Sequence, residues 1–505
     1  ISQNGIVIGT DARPGRGNRP VALPLRTLAG MSGMIVTGAP GRGKSFAVLL
    51  MIANFIRAGI PVLFLDKEGQ GSWLMEVLGW DKVGLLPATH VPFDVFRVPG
   101  VTMSTPERDI MRMTTEYLLR IGSLFRRLFV GIGGYLECLK MLTELMVKNG
   151  VFSGSCAWVT WKQLLDATTD KITDLQREKG FKVADYLNGL KSRLSGMYQA
   201  LPGLHYSGED IVSYLIGRGK SLVLHTGALD GDIRDASIDL LLTRVSYALE
   251  QQYHDYDDQE RPRLVIVIEE ATPLLRPPQQ GADAVLDIHY SSARKRRYLV
   301  ISVTQGLAVS RDVLSNAGVR LCFALPGEQE RLAVAGVLNL NHEKDKSLAS
   351  LPRQQAVLSV NDWGPEPLLV DIPDFCPGPY PPPDRLLAHE SATLLELGID
   401  PDSVYADYGE PAAVEPKPKT QGAGSGGDSN PPPAAPPEPS DGPMLSPLAL
   451  RVLEHIAAKA SDMASRAKDL HISLPEEAAA RRELVKYGLI RQWEDKVGKG
   501  LVFFV

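Results

Sequence analysis

The stretch Gly38-Ala39-Pro40-Gly41-Arg42-Gly43-Lys44-Ser45 has the residue types and spacing to hold a phosphate chain. Glycines at 38, 41 and 43 let successive backbone N–H groups curl toward one point, and a helix opening at the end of the loop adds its positive end. In a G-x-x-x-x-G-K-[ST] loop the lysine reaches the β- and γ-phosphates and the hydroxyl ligates Mg²⁺, the roles expected of Lys44 and Ser45. The pattern calls for ATP and Mg²⁺, with all eight residues as candidate contacts. The bland alternative, a glycine-rich turn, is disfavoured because an apolar strand precedes the loop and a helical pattern follows it.

A second stretch, Leu264-Val265-Ile266-Val267-Ile268-Glu269-Glu270, reads as a buried strand ending in two carboxylates. Beside a phosphate loop, one such group holds Mg²⁺ and the other polarises the attacking water. Glu269 is assigned to the metal and Glu270 to the water; a solvated strand end is the alternative. Thr304-Gln305 ends the next strand, where an amide can sense the γ-phosphate, although a plain turn residue fits as well. Asp66 and Glu68 end another strand and either line the same site or cap a helix. An arginine acting across a subunit boundary cannot be located by spacing. The candidates are Arg320, at the start of an expected strand Arg320–Leu325, and Arg294 in the run Arg294-Lys295-Arg296-Arg297. Each has a structural alternative, an ion pair or a solvated helix end.

The elements that must position these residues alternate. Short apolar strands are expected at Ile6–Gly9, Val21–Leu25, Met34–Thr37, Pro61–Leu65, Ser221–His225, Leu264–Ile268 and Tyr298–Thr304, with helical patterns at Phe46–Arg57 and Ile238–Tyr253. Unbroken apolar runs suit strands of a parallel sheet covered on both faces, so the core reads as α/β. Ala356–Val360 and Leu368–Asp371 suggest an edge hairpin. Residues 73–215 read as a mostly helical insertion, with Met111, Leu118, Leu119, Leu139, Leu142 and Leu145 at helical spacing.

The core is expected to span residues 1–376. A Pro/Gly-rich linker is expected over 377–444, since proline dominates Pro377–Pro383 and Pro411–Gly442 lacks apolar anchors. Residues 445–505 read as a winged helix: helices Pro447–Lys459, Met463–Leu470 and Pro475–Tyr487, then a hairpin from Leu489–Trp493 and Gly500–Val505. Arg481, Arg482, Lys486, Lys496 and Lys499 suit phosphate contacts with DNA. Glu476, Glu477, Glu483, Glu494 and Asp495 dilute that charge, and a protein-docking role stays open.

Bulk properties set bounds. A chain of 505 residues with 44% hydrophobic and 22% charged residues can build a large core, and its net charge of −5 excludes a uniformly basic nucleic-acid coat. Cys138, Cys156, Cys322 and Cys376 are isolated, as expected of reduced thiols in a cytoplasmic protein. No apolar run reaches the ~18 residues of a membrane span. The chain opens at Ile1 rather than Met, which reads as a fragment and leaves an N-terminal anchor or barrel open.

In this order the motifs resemble the HerA–FtsK superfamily of P-loop motors, which includes conjugation and type IV secretion ATPases. The matching stretches are Gly38–Ser45, Val62–Gly69, Val265–Ala271, Ser302–Gln305 and Asn316–Phe323. The helical insertion looks like that of the secretion-type branch. Glu269 departs from the usual Asp, and the residues from Ile1 to the loop do not include a HerA-type barrel, as expected if Ile1 marks where a fragment begins. The resemblance implies a RecA-like core, a homohexameric ring, an arginine supplied by the neighbour and double-stranded DNA, or sometimes protein, moved through the pore. A secretion or conjugation machine, or a partner nuclease fed by the motor, is the alternative setting. A nucleotide-switched regulator fits less well, because paired carboxylates and a sensor amide suit turnover.

Overall fold

Glycines and apolar β-formers build a sheet of eleven strands, ordered β2-β1-β11-β10-β9-β3-β8-β7-β4-β6-β5, among the described residues. The computed structural model describes residues 5–406 except 14, 16–18, 93, 129–131, 180–184, 206–209, 253–259, 276–284, 307–312, 314–315, 339, 341–345, 365 and 376–377, and beyond them 490–494 and 500–504. In chain order the strands are β1 (Gly5–Asp11), β2 (Pro20–Pro24), β3 (Gly33–Thr37), β4 (Val62–Asp66), β5 (Val83–Pro87), β6 (Ser221–His225), β7 (Leu264–Ile268), β8 (Tyr298–Thr304), β9 (Ala317–Cys322), β10 (Gln355–Val360) and β11 (Leu368–Asp371). Helices α1 (Leu25–Ala29), α2 (Lys44–Arg57), α3 (Trp73–Leu78), α4 (Glu107–Leu128), α5 (Ile132–Lys148), α6 (Trp161–Lys179), α7 (Asp185–Ala200), α8 (Gly231–Gln252), α9 (Thr272–Leu275) and α10 (Val285–Arg296) connect them.

From β9 to β5 every neighbouring pair runs parallel. From β9 outward to β2 the pairs are antiparallel. The parallel strands are buried on both faces, which is why their sequences carry no polar alternation. Ile35 of β3 packs with the helical block that includes α4, α5 and α8, whereas its neighbours Met34 and Val36 pack with α2 and β1 on the other face. Each fully buried aliphatic side chain in these layers contributes about 1.5–3 kcal/mol relative to exposure. The chain leaves β3 for β4 in one direction and leaves β8 for β9 in the other. Such a reversal opens a crevice at the carboxyl ends of the strands, where ligands of open α/β sheets bind.

The α/β class and the largely parallel sheet match the sequence expectation. Four details differ. The helical stretch 73–215 contains β5, which pairs with β6 and extends the sheet. The pair β10–β11 is not an edge, because β1 and β2 continue beyond it. Strand β9 is Ala317–Cys322 rather than 320–325. Phe323, Ala324 and Leu325 are apolar because their side chains are fully buried beyond the strand, while the Ala39 N–H donates to the Ala324 carbonyl (2.9 Å) and the Leu325 N–H to the Leu348 carbonyl (3.0 Å). Finally, residues read as linker form helices Pro383–Glu396 and Pro401–Ala406. Proline at the first turn starts a helix instead of preventing it. The first of these helices lies on β5: Thr393 Oγ1 accepts from the Leu85 N–H (3.2 Å), and His389 Nε2 donates to the Val83 carbonyl (2.7 Å).

The chain divides into two units, Ile1–Val414 and Glu415–Val505. In the second, Ile490–Glu494 and Gly500–Phe504 form an antiparallel hairpin with Gln492 opposite Val502. The three helices of the expected winged helix lie outside the described residues, as do Arg481, Arg482, Lys486, Lys496 and Lys499. Among the described residues no helix is long and apolar enough to cross a membrane.

Candidate active site

The loop between β3 and α2 is shaped by its glycines. Gly38, Gly41 and Gly43 have φ of 149°, 72° and 105°, values that side chains resist. At Gly38 a Cβ would also lie 2.6 Å from Cβ of Phe323. The loop is tied to the sheet by Ala39 and to the segment before β10 by the Gln354 N–H, which donates to the Arg42 carbonyl (2.9 Å). Lys44 opens α2, and its Nζ donates to the carbonyls of Gly38 (2.7 Å) and Ala39 (2.9 Å). Burial lowers its pKa, opposed by the charges of Glu68 and Glu269.

Facing the loop is an edge made of side chains from the ends of β4, β7 and β8. Glu269 follows β7 and is buried; its Oε2 accepts from the N–H groups of Lys67 (3.0 Å) and Glu68 (3.3 Å). It lies beside Asp66, which is fully buried and accepts from the N–H groups of Gly69 (2.9 Å) and Gly71 (2.7 Å). Burial, then the charge of Asp66 and a hydrogen bond to it, push the Glu269 carboxyl up to about 8. His225 Nε2 stands 3.4 Å from Asp66, and burial lowers the imidazole pKa against the pull of that carboxylate.

Glu270 has φ 47°, a left-handed conformation that costs a glutamate about 1–2 kcal/mol. Its Oε1 accepts from Gln305 Nε2 (3.3 Å), and its Oε2 pairs with Lys67 Nζ. Strained residues of this kind concentrate where a side chain must be aimed.

Loop and edge enclose a cavity of about 250 Å³ lined by Gly43, Lys44, Ser45, Glu269, Glu270 and Gln305. The structure thus gathers the calls Pro40, Gly41, Gly43, Lys44, Ser45, Glu269, Glu270 and Gln305, with Glu68, around one space, while Gly38, Ala39 and Arg42 shape the loop behind it. Glu68, Gln70 and Trp73 line it from the turn after β4, and Arg353 from the segment before β10. Sequence reading missed Gln70, Trp73 and Arg353. The glycine-rich turn Gly69-Gln70-Gly71 was a signal for the first two; nothing marked Arg353.

Arg320 does not line this cavity. It is in the interior of β9, not at its start, and Nη1 donates to Asn361 Oδ1 (2.7 Å). Burial lowers its pKa. Its register partner on β3 is Ile35, so it belongs to the sheet face opposite α2. Arg294 lies in the last turn of α10.

The donor set suits a hard cation. Ser45, Glu269 and Glu270 offer oxygens beside the place where phosphates would rest. Among the described residues there is no cluster of three or more acidic, His or Cys side chains able to hold a metal alone. Mg²⁺ in nucleotide sites takes one or two carboxylates and completes its shell with phosphates and water.

No family model matches the chain, and no curated protein sequence matches it. Among solved structures it is similar to VirB4 of Thermoanaerobacter pseudethanolicus, with 18% identity and a TM-score of 0.56 over 74% of this chain and 98% of that one. The two share an α/β fold. TrwB, a plasmid coupling protein solved with ADP and Mg²⁺, has 17% identity and a TM-score of 0.46, covering 73% of this chain and 94% of TrwB.

Proposed function

We propose that this chain is an ATP-hydrolysing motor of the HerA–FtsK kind, working as a ring that moves double-stranded DNA on the cytoplasmic side of the membrane. The observation that carries the reading is the strained Glu270, aimed with Gln305 across the cavity from Lys44 and Ser45. Lys44 and the loop amides bind and orient the β- and γ-phosphates. Glu270 takes a proton from water at its carboxylate, and Gln305 holds that carboxylate in place. Ser45 and Glu269 would hold Mg²⁺, which would supply charge neutralisation for the transferring phosphoryl. Burial beside Asp66 disfavours the ionised form that this role uses. Arg320, off its own chain's cavity, is proposed to serve the neighbouring subunit's site. The C-terminal unit is proposed to engage DNA or a partner protein, through Arg481, Arg482, Lys486, Lys496 and Lys499 in the DNA case.

A second reading is an ATPase that powers a secretion or conjugation machine. The helical block α4–α7, inserted between β5 and β6, favours it, because the resemblance associates such an insertion with the secretion-type branch. One experiment separates the two: ATP turnover with and without double-stranded DNA, on a sample sized by mass photometry. A hexamer stimulated by DNA supports the first reading. A hexamer indifferent to DNA supports the second, and a monomer turning over at a concentration-independent specific rate removes the ring.

A further inference from the structure

Arg234 is in the first turn of α8 and is only 4% exposed. Its Nη2 donates to the Glu269 carbonyl (2.5 Å), its Nη1 to the Glu270 carbonyl (3.5 Å), and its Nε to Thr226 Oγ1 (3.3 Å). Thr226 in turn donates to the Asp66 carbonyl through N–H (2.7 Å) and through Oγ1 (3.2 Å). One guanidinium therefore links the ends of β4, β6 and β7 beneath the cavity.

The geometry of the turn explains why two consecutive carbonyls meet one side chain. In extended backbone, successive carbonyls point to opposite sides. In the left-handed helical region they point to the same side. Glu270, at φ 47°, is in that region, and Arg234 collects both oxygens. The turn is otherwise tied at its ends, by the Glu269 N–H on the Leu65 carbonyl (3.1 Å) and the Ala271 N–H on the Val303 carbonyl (2.9 Å). The charge of Arg234 is met mainly by carbonyl dipoles, with Asp235 at 3.8 Å. The planar fork reaches the two carbonyls and the threonine from three separate nitrogens, whereas an ammonium would have to reach all three from a single atom.

We infer that Arg234 is a positioning residue: it holds the Glu269–Glu270 turn in its left-handed shape and so aims the Glu270 carboxylate at the water that attacks ATP. This rests on the hydrolytic reading above. The loop Thr226 to Asp230 leads into α8, where the Arg234 N–H donates to the Asp230 carbonyl (2.7 Å).

The test compares Arg234→Lys and Arg234→Ala, each alone and combined with Glu270→Gln. Steady-state turnover, KM for ATP and binding of a fluorescent non-hydrolysable ATP analogue are measured for every variant. Arg234→Lys is expected to lower kcat about 100-fold, the scale of a misplaced catalytic group, and to leave analogue affinity within about threefold of wild type. In the Glu270→Gln background the same substitution is expected to change the residual rate less than about twofold, because it acts through a carboxylate already removed. Three results overturn the inference. One is a kcat near wild type in both arginine variants. Another is an undiminished kcat loss in the Glu270→Gln background. The third is loss of folding or of analogue binding in both arginine variants, which marks a structural role alone. Near-normal turnover in Lys44→Ala, by contrast, sinks the hydrolytic reading itself.

Discussion

The two walls of the cavity are made differently. The loop Gly38–Ser45 is a contiguous piece of backbone whose shape comes from three glycines at positive φ and from the start of α2. The opposite edge is assembled from side chains distant in sequence: Glu68 after β4, Glu269 and Glu270 after β7, Gln305 after β8. On the proposed reading the first wall binds phosphate through backbone amides and Lys44, and the second, of carboxyls and an amide, performs the chemistry. Binding and turnover should therefore separate cleanly by mutation.

The largest effect is expected at the first wall. Lys44→Ala should lose at least about a thousandfold in turnover, because the proposal gives Lys44 the β- and γ-phosphates, and should also weaken nucleotide binding. Steady-state rates and analogue titration check both. Turnover near wild type would show that the loop is not the site. Next is the second wall. Glu270→Gln should lower kcat by about 10²–10³ while analogue affinity stays near wild type, because shape is kept and general-base capacity is lost. Equal losses of binding and rate would erase the division between the walls.

Smaller effects fall on stability. Gly38→Ala places a methyl against Phe323 at a φ of 149° and should cost about 2 kcal/mol in urea unfolding, beyond its effect on binding. No change in the midpoint would mean the loop tolerates side chains. The smallest expected effect is a pH signature of the second wall. The Glu269 carboxyl is raised from 4.5 to about 8, so between these values the native state holds a proton that the unfolded chain has released. Stability from this group is complete below the unfolded value and declines as pH rises through that window. Glu269→Gln has no proton to lose. Its stability relative to wild type should grow by about 1 kcal/mol or more from pH 5 to pH 8.5, measured by denaturant titration. A difference that is flat with pH would place an ionised Glu269 in the native protein.

What could be read from the sequence follows the same division. The loop is local, and its glycine spacing states its geometry outright. Strands such as Ser221–His225, Leu264–Ile268 and Tyr298–Thr304 have the residues expected, because each is dominated by a short apolar run, such as Leu264–Ile268, with polar residues following it. Strand β5 contains Gly84 and Pro87 between helical patterns and gives little signal; its place is set by pairing with β6, far along the chain. Lys67, Arg234 and Arg353 reach the site from separate segments, and no local pattern connects an arginine in a helical run with the strand end it supports. The helix Pro383–Glu396 was hidden by the prolines before it, although Leu386, Leu394 and Leu397 supply its apolar side.

That helix has a consequence for how the molecule can be cut. An outer strand with free amides and carbonyls is a template on which another chain can add. On β5, the Leu85 N–H and the Val83 carbonyl are already engaged by Thr393 and His389, and Arg385 stacks over Trp80 at 4.2 Å while bridging to Glu76 at 2.8 Å. Residues 383–406 are thus a sealing strip for the margin of the sheet. A truncation placed at residue 376 strips it and invites edge-to-edge aggregation, whereas one placed after Ala406 leaves the margin sealed.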